Sequence, residues 1–441
     1  MQRVRPWTIA LILAATACQR SPRELARAPR DHAAAKAAES EPERARSLAL
    51  SGSTGGARID AEIRALITRA RKQPQKAATW IELGRSYVDK ARAASDPGYY
   101  LNADACAEVA LGISPDDPLA LDLRALVLLN NHEFTKAKAL SESLIARRPD
   151  AAMAWGSLSD ALLELGEQDA AERAANTMLD LKPNLPSYSR ASYLRWLRGA
   201  ESDARELARL AIDASDDPRR PEPRAWMLVQ AALLFWHAGD WQGADAGFVR
   251  ALEVVKDYPP ALVGRGRVAL ADGNAGAAAD FFQRAYDASP LTETAWLLGE
   301  ARELEGRHAE AKSAFADAER EGRRADRRTL SLMFSTQARN IEEAVSLAER
   351  ERQVRADIYT EDALAFALYR AGRMHEANEA IQRARRLGTP DAKLMFHDGL
   401  IRLGLGDSRS GKRLLSEALA QNAHFDERSA REARTLLGTG G

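Results

Sequence analysis

Residues 166–183 read GEQDAAERAANTMLDLKP, with a turn residue at Gly166, a small residue five places on at Ala171, and a helix stop at Pro183, twelve places further. The frame recurs along the chain. Small residues stand at Ala103, Ala137, Ala171, Ala204, Ala244, Ala278, Ala311, Ala344, Ala377 and Gly411, separated by 34, 34, 33, 40, 34, 33, 33, 33 and 34 residues. Five places before them come Gly166, Gly199, Gly239, Gly273, Gly306, Gly372 and Gly406, where a left-handed turn is cheapest without a Cβ. Twelve places after come Pro115, Pro149, Pro183 and Pro290, which stop a helix. A period near 34 predicts stacked helix–turn–helix units, because one such unit cannot bury its own apolar face. The fold class is therefore expected to be all-α, a solenoid of about ten repeats.

A chain of 441 residues would ordinarily divide into several domains, but a repeat array extends along one axis with a continuous core. Its 63 Lys+Arg balance 63 Asp+Glu, with no long basic run in the body, so no nucleic-acid partner is expected. Phosphate-binding glycine loops, metal-spaced His/Cys clusters and nucleophile elbows are absent from the sequence. The expectation is a protein that is not an enzyme and needs no cofactor or metal. Cys106, in an alanine-rich helical stretch, reads as a small apolar thiol packed between helices.

The first residues read as an address. Arg3 and Arg5 precede an uncharged apolar run, Trp7 to Ala17, too short to span a bilayer. The run closes with Ala15-Thr16-Ala17-Cys18, which resembles the bacterial lipoprotein box, although Ala15 stands where that family usually has Leu. The resemblance implies lipidation of Cys18 and, with Gln19 following, an outer-membrane anchor facing the periplasm. Simple cleavage before Cys18 is the alternative. Residues 1–17 are thus expected to be a signal peptide and residues 18–56, poor in aromatic and β-branched side chains, a lipidated disordered tether.

Trp80, Leu83, Gly84 and Tyr87 form the pattern W-x2-L-G-x2-Y ahead of Ala103. With the recurring small residues and prolines, residues 58–437 resemble the tetratricopeptide repeat family. That resemblance implies antiparallel helix pairs wound into a right-handed superhelix whose first helices line a concave groove. The three prolines of the insertion Asp216–Pro223 account for the one 40-residue spacing and predict a bend. They divide an N-terminal arm, residues 57–218, from a C-terminal arm, residues 219–441.

Aromatics on first helices are the candidate groove residues. Tyr193 and Trp196 are three apart, Trp226 and Trp236 lie on one stripe with Val229 and Leu233, and Trp296 follows further on. Such side chains suit recognition of a peptide or helix, and equally suit plain core packing. His397 and Asp398 are sequence neighbours splayed by about 100° around a helix, so they make no dyad. The resulting expectation is a membrane-tethered envelope scaffold that binds another protein through its groove. The alternative is a module binding an envelope polysaccharide.

Overall fold

The computed structural model describes residues 40–94, 96–215 and 217–438, and the expectations for the signal peptide and Cys18 lie outside them. Among the described residues there are 23 helices and no strands. Ten consecutive pairs run from Ala77–Ala93 with Tyr99–Ile113 to Ala392–Gly404 with Ser408–Gln421, and a last helix, Glu427–Leu437, follows. None of these helices is long and apolar enough to cross a membrane.

The local chemistry of each repeat explains its boundaries. Aspartates cap first helices: Asp117 accepts from the Leu119 and Ala120 N–H, and Asp357 from those of Tyr359 and Thr360. The stop prolines Pro115, Pro149 and Pro183 each lie two residues past a second helix, ending at Ile113, Arg147 and Leu181. The pacing alanines are all at most 3 % exposed, and Gly411 is buried too. At these points paired helices approach so closely that Ser159, Ser192 and Ser331 donate to the carbonyls of Ala171, Ala204 and Ala344, at 2.7–2.8 Å. A larger side chain would push the pair apart.

The seven turn glycines have φ between +74° and +88°. Where the frame lacks glycine, other residues take up the strained conformation. His132 adopts φ +59°, and in the repeat around Ala344 both Ala338 and Asn340 adopt φ +50°.

The chain forms two compact units. The first comprises residues 40–163 and 167–182, the second residues 164–166 and 183–438. In the first unit, Trp80, Leu83 and Tyr87 are fully buried with Ile63 and Cys106. The tether expectation does not hold from Glu41 onward, where Glu41–Ala49 is a helix with Ala45 and Ala49 buried. The Tyr87 hydroxyl donates to the Ala49 carbonyl at 3.0 Å, and the Asn102 amide donates to the Leu48 carbonyl at 2.8 Å. These bonds supply the ordering that composition alone does not.

The second unit holds seven helix pairs and the final helix. Its array curls until turns inside early repeats meet links between late ones. The Ala356 N–H donates to the Glu164 carbonyl (2.8 Å), Thr389 Oγ1 to the Leu197 carbonyl (2.6 Å), and Asn422 Nδ2 to the Trp236 carbonyl (2.8 Å). These contacts place the division at residues 164–183 rather than at the proline-rich insertion near residue 218. Both sides of that insertion belong to one unit because later repeats bind them.

Candidate functional site

The curl of the second unit brings first helices from seven repeats around one cavity of about 190 Å³. Helix Leu185–Leu197 contributes Ser189, Ser192, Tyr193 and Trp196, which stand at i, i+3, i+4 and i+7 along one face. Helix Glu222–His237 adds Gln230, Leu233, Trp236 and His237. Arg267, Glu293 and Trp296 come from the next two first helices, and Arg328 and Thr329 from the following one. Tyr359, Asp362, Asp391 and Lys393 close the other side, with Asn422 and Phe425 from the link before the last helix.

Four of the five candidate aromatics meet here. Tyr193 and Trp196 stack at 5.8 Å between ring centroids, Trp196 stacks on Tyr359 at 6.4 Å, and it meets His237 at 4.7 Å. Trp196, Trp236 and Trp296 are only 4–5 % exposed, so they are walls of a recess rather than freely solvated anchors. Trp226 is not among the lining residues. It lies near the start of its helix, half-buried against the apolar cluster of Phe248 and Ala251.

The site's charges are mostly committed to one another. Arg267 pairs with Glu293, and Arg328 lies 3.3 Å from Asp357. Asp391 caps its helix, accepting from the Lys393 N–H at 2.8 Å, and stands 3.6 Å from His237 Nδ1. Burial pushes the His237 imidazole down from its ordinary value despite Asp391, which keeps it neutral near pH 7. Burial likewise holds the Tyr193 and Tyr359 phenols well above the usual range, so both remain hydroxyl donors. Behind Trp296, whose indole N–H donates to Glu300 at 2.7 Å, burial and the nearby Asp426 raise the Glu300 carboxyl to about 8 despite Arg428.

Sequence spacing did not point to Tyr359, Asp362 or Lys393. Asp362 and His397 lie 35 residues apart, one repeat, and their side chains pair at 2.8 Å with both groups buried. The repeat period itself was the available signal. His397 is covered by Phe366 at 3.9 Å between centroids, while its neighbour Asp398 pairs instead with Arg402. Ser189 and Ser192 donate their hydroxyls to the carbonyls of Leu185 and Ala204. Among the described residues no group of three or more His, Cys, Asp or Glu side chains is placed to hold a metal ion. Rings, hydroxyls and fixed charges around a recess suit binding.

The sequence pattern of the tetratricopeptide repeat matches residues 123–186 and 229–291, so such repeats are present in this chain. No curated protein sequence matches it. Among solved structures, it is similar to PilW, a widely conserved type IV pilus biogenesis factor, at 17 % identity over 49 % of this chain and 98 % of that one, with a TM-score of 0.41. A thermophilic tetratricopeptide repeat protein from Thermus thermophilus is 23 % identical over 44 % of this chain and 98 % of its own, with a TM-score of 0.37. The human IFIT1 dimer with PPP-AAAA is 17 % identical over 71 % and 73 %, with a TM-score of 0.47.

Proposed function

We propose that this array of tetratricopeptide repeats is an interaction scaffold of the cell envelope, tethered to a membrane through lipid on Cys18, that docks part of another protein. Support for docking comes from the repeats themselves, a preformed binding surface that loses little freedom when a partner arrives. The observation that carries the reading is the convergence of Tyr193, Trp196, Trp236 and Trp296 on one recess lined by first helices. A recess of this kind admits a side chain or loop tip of a partner, with binding rather than catalysis as its role. Support for the envelope location comes from Arg3, Arg5, the Trp7–Ala17 run and the Ala15–Cys18 box.

Two measurements test this. A photo-crosslinker replacing Gln230 in the recess should capture a protein in living cells, whereas one replacing the exposed Asp280 on a second helix should not. Equal capture at both places, or none, overturns docking at the recess. A glycan adduct would favour the polysaccharide reading. Fatty-acid labelling should mark the wild type and disappear in Cys18→Ser, with release from the membrane fraction. Unlabelled protein in both removes the lipid anchor.

A further inference from the structure

We propose that the first-helix face beside the recess is a seat for a short amphipathic helix, that the chain's own last helix, Glu427–Leu437, fills it, and that a partner's helix of like pattern takes its place. This rests on the docking reading and names the kind of segment that docks.

The seat continues the recess wall. On helix Thr292–Leu304, Glu300 and Glu303 follow Trp296 at i+4 and i+7 and so share its inward face. On helix Ile358–Arg370, Phe366 and Arg370 follow the lining residues Tyr359 and Asp362 in the same way. The last helix spans the two. Arg428 pairs with Glu303 and lies 3.4 Å from Glu300. Glu432, one turn on, accepts from both branches of the Arg370 guanidinium, at 2.9 and 2.6 Å. Ala433 and half-buried Leu437 belong to one apolar cluster with Phe366, Phe396 and Leu400. Just ahead of the helix, Phe425 lines the recess itself.

The seat is filled, but weakly. The helix buries only Ser429, Ala430 and Ala433, small side chains whose removal from water contributes little. Arg428 and Glu303 stay 37 % and 42 % exposed, and ion pairs of that kind contribute about 0–1 kcal/mol. Eleven residues are too few to hold a helix in water without packing. The segment therefore opens at lower free energy than the repeats that carry it, and a helix arriving from another chain can compete for its place. Its own pattern states what the seat selects: an aromatic residue at the place of Phe425, a cation three places on, alanine-sized residues at 430 and 433, and a carboxylate at 432.

The test uses the full chain and a labelled synthetic peptide of residues 423–438, followed by fluorescence anisotropy. Arg428→Glu sets like charges against each other and should free the seat. Arg431→Glu makes the same charge change on the exposed side of the helix and should not. The peptide should bind Arg428→Glu roughly ten-fold or more tightly than it binds the wild type or Arg431→Glu, because a seat filled from within lowers apparent affinity by the fraction of open molecules. Hydrogen exchange across residues 427–437 should quicken in Arg428→Glu and return to the wild-type rate when Glu303→Arg is added. Equal binding by the three proteins, binding to none, or undiminished binding of a peptide that itself carries Arg428→Glu overturns the proposal. Photo-crosslinking from Gln230 reads the scaffold separately: no capture by any variant removes the docking reading, whereas peptide binding alone decides the seat. Where a partner is captured, Arg428→Glu should raise the yield and Arg431→Glu should not, and equal yields overturn the competition.

Discussion

Asn422 Nδ2 donates a 2.8 Å hydrogen bond to the carbonyl of Trp236, a residue 186 positions earlier in the chain. Both ends are buried, and the bond fastens the link before the last helix to the C-terminal end of a cavity-lining helix. Asn422→Ala is expected to lower the unfolding free energy by about 1–2 kcal/mol, the usual cost of losing such a buried bond. Hydrogen exchange should speed up at residues 236–239 before it does elsewhere. Unchanged exchange there would show that the curl is held without this contact.

Two turn glycines with nearly the same φ should respond differently to alanine. Gly273 has φ +74° and open space around it, so Gly273→Ala carries only the conformational penalty, about 1 kcal/mol. Gly239 has φ +78°, and an added Cβ would lie 2.6 Å from the Gln421 carbonyl oxygen. Gly239→Ala should therefore cost about 3 kcal/mol or more by urea denaturation, because overpacking adds to backbone strain. Equal costs would mean that the link around Gln421 moves aside freely.

Ala338 offers the reverse experiment. It holds φ +50° in the repeat that lacks the turn glycine, and Ala338→Gly should stabilise the protein by about 0.5–1 kcal/mol, net of the added freedom of the unfolded chain. The urea midpoint should rise while the m-value stays constant.

Arg355 sits among buried acids. It lies 3.3 Å from Glu164, 2.8 Å from Glu351 and 4.0 Å from Asp357. Arg355→Met takes the ion-pair partner from buried Glu164, while Arg327 and Arg328 still hold Glu351 and Asp357, and should cost about 3–5 kcal/mol, seen as early proteolysis of the second unit. Arg373→Ala, which removes an exposed partner of Glu376, should cost under about 1 kcal/mol and serves as the control.

Glu300 sets a pH dependence of definite sign. Its folded-state pKa is raised from 4.5 to about 8, so between those values the folded protein binds more protons than the unfolded chain. Stability contributed by the neutral carboxyl is full below about pH 4.5, declines as pH climbs toward 8, and levels off above it. Relative to Glu300→Gln, the wild type should lose ground in thermal unfolding between about pH 5 and pH 8. A constant difference across that range would show that Glu300 ionises normally when folded.

Much of the repeat was readable because its causes are local. Gly166 and Gly199 mark turns since the chain must take positive φ there, and Ala171 and Ala204 mark helix crossings since nothing larger fits. The candidate aromatics were found by the same helical spacing, but Trp226 followed the stripe without reaching the recess. Composition misread residues 41–49, where partners on other helices order a segment with little apolar surface of its own.

The sequence by itself determined the unit, its period and its turns, because each depends on residues within one repeat or the next. Only the tertiary structure decided that Thr389 meets Leu197, that Asp362 takes His397, and that Lys393 faces Trp296. Those meetings depend on small rotations accumulated from one helix pair to the next. A slight change per repeat would leave every local signal intact and bring different residues together.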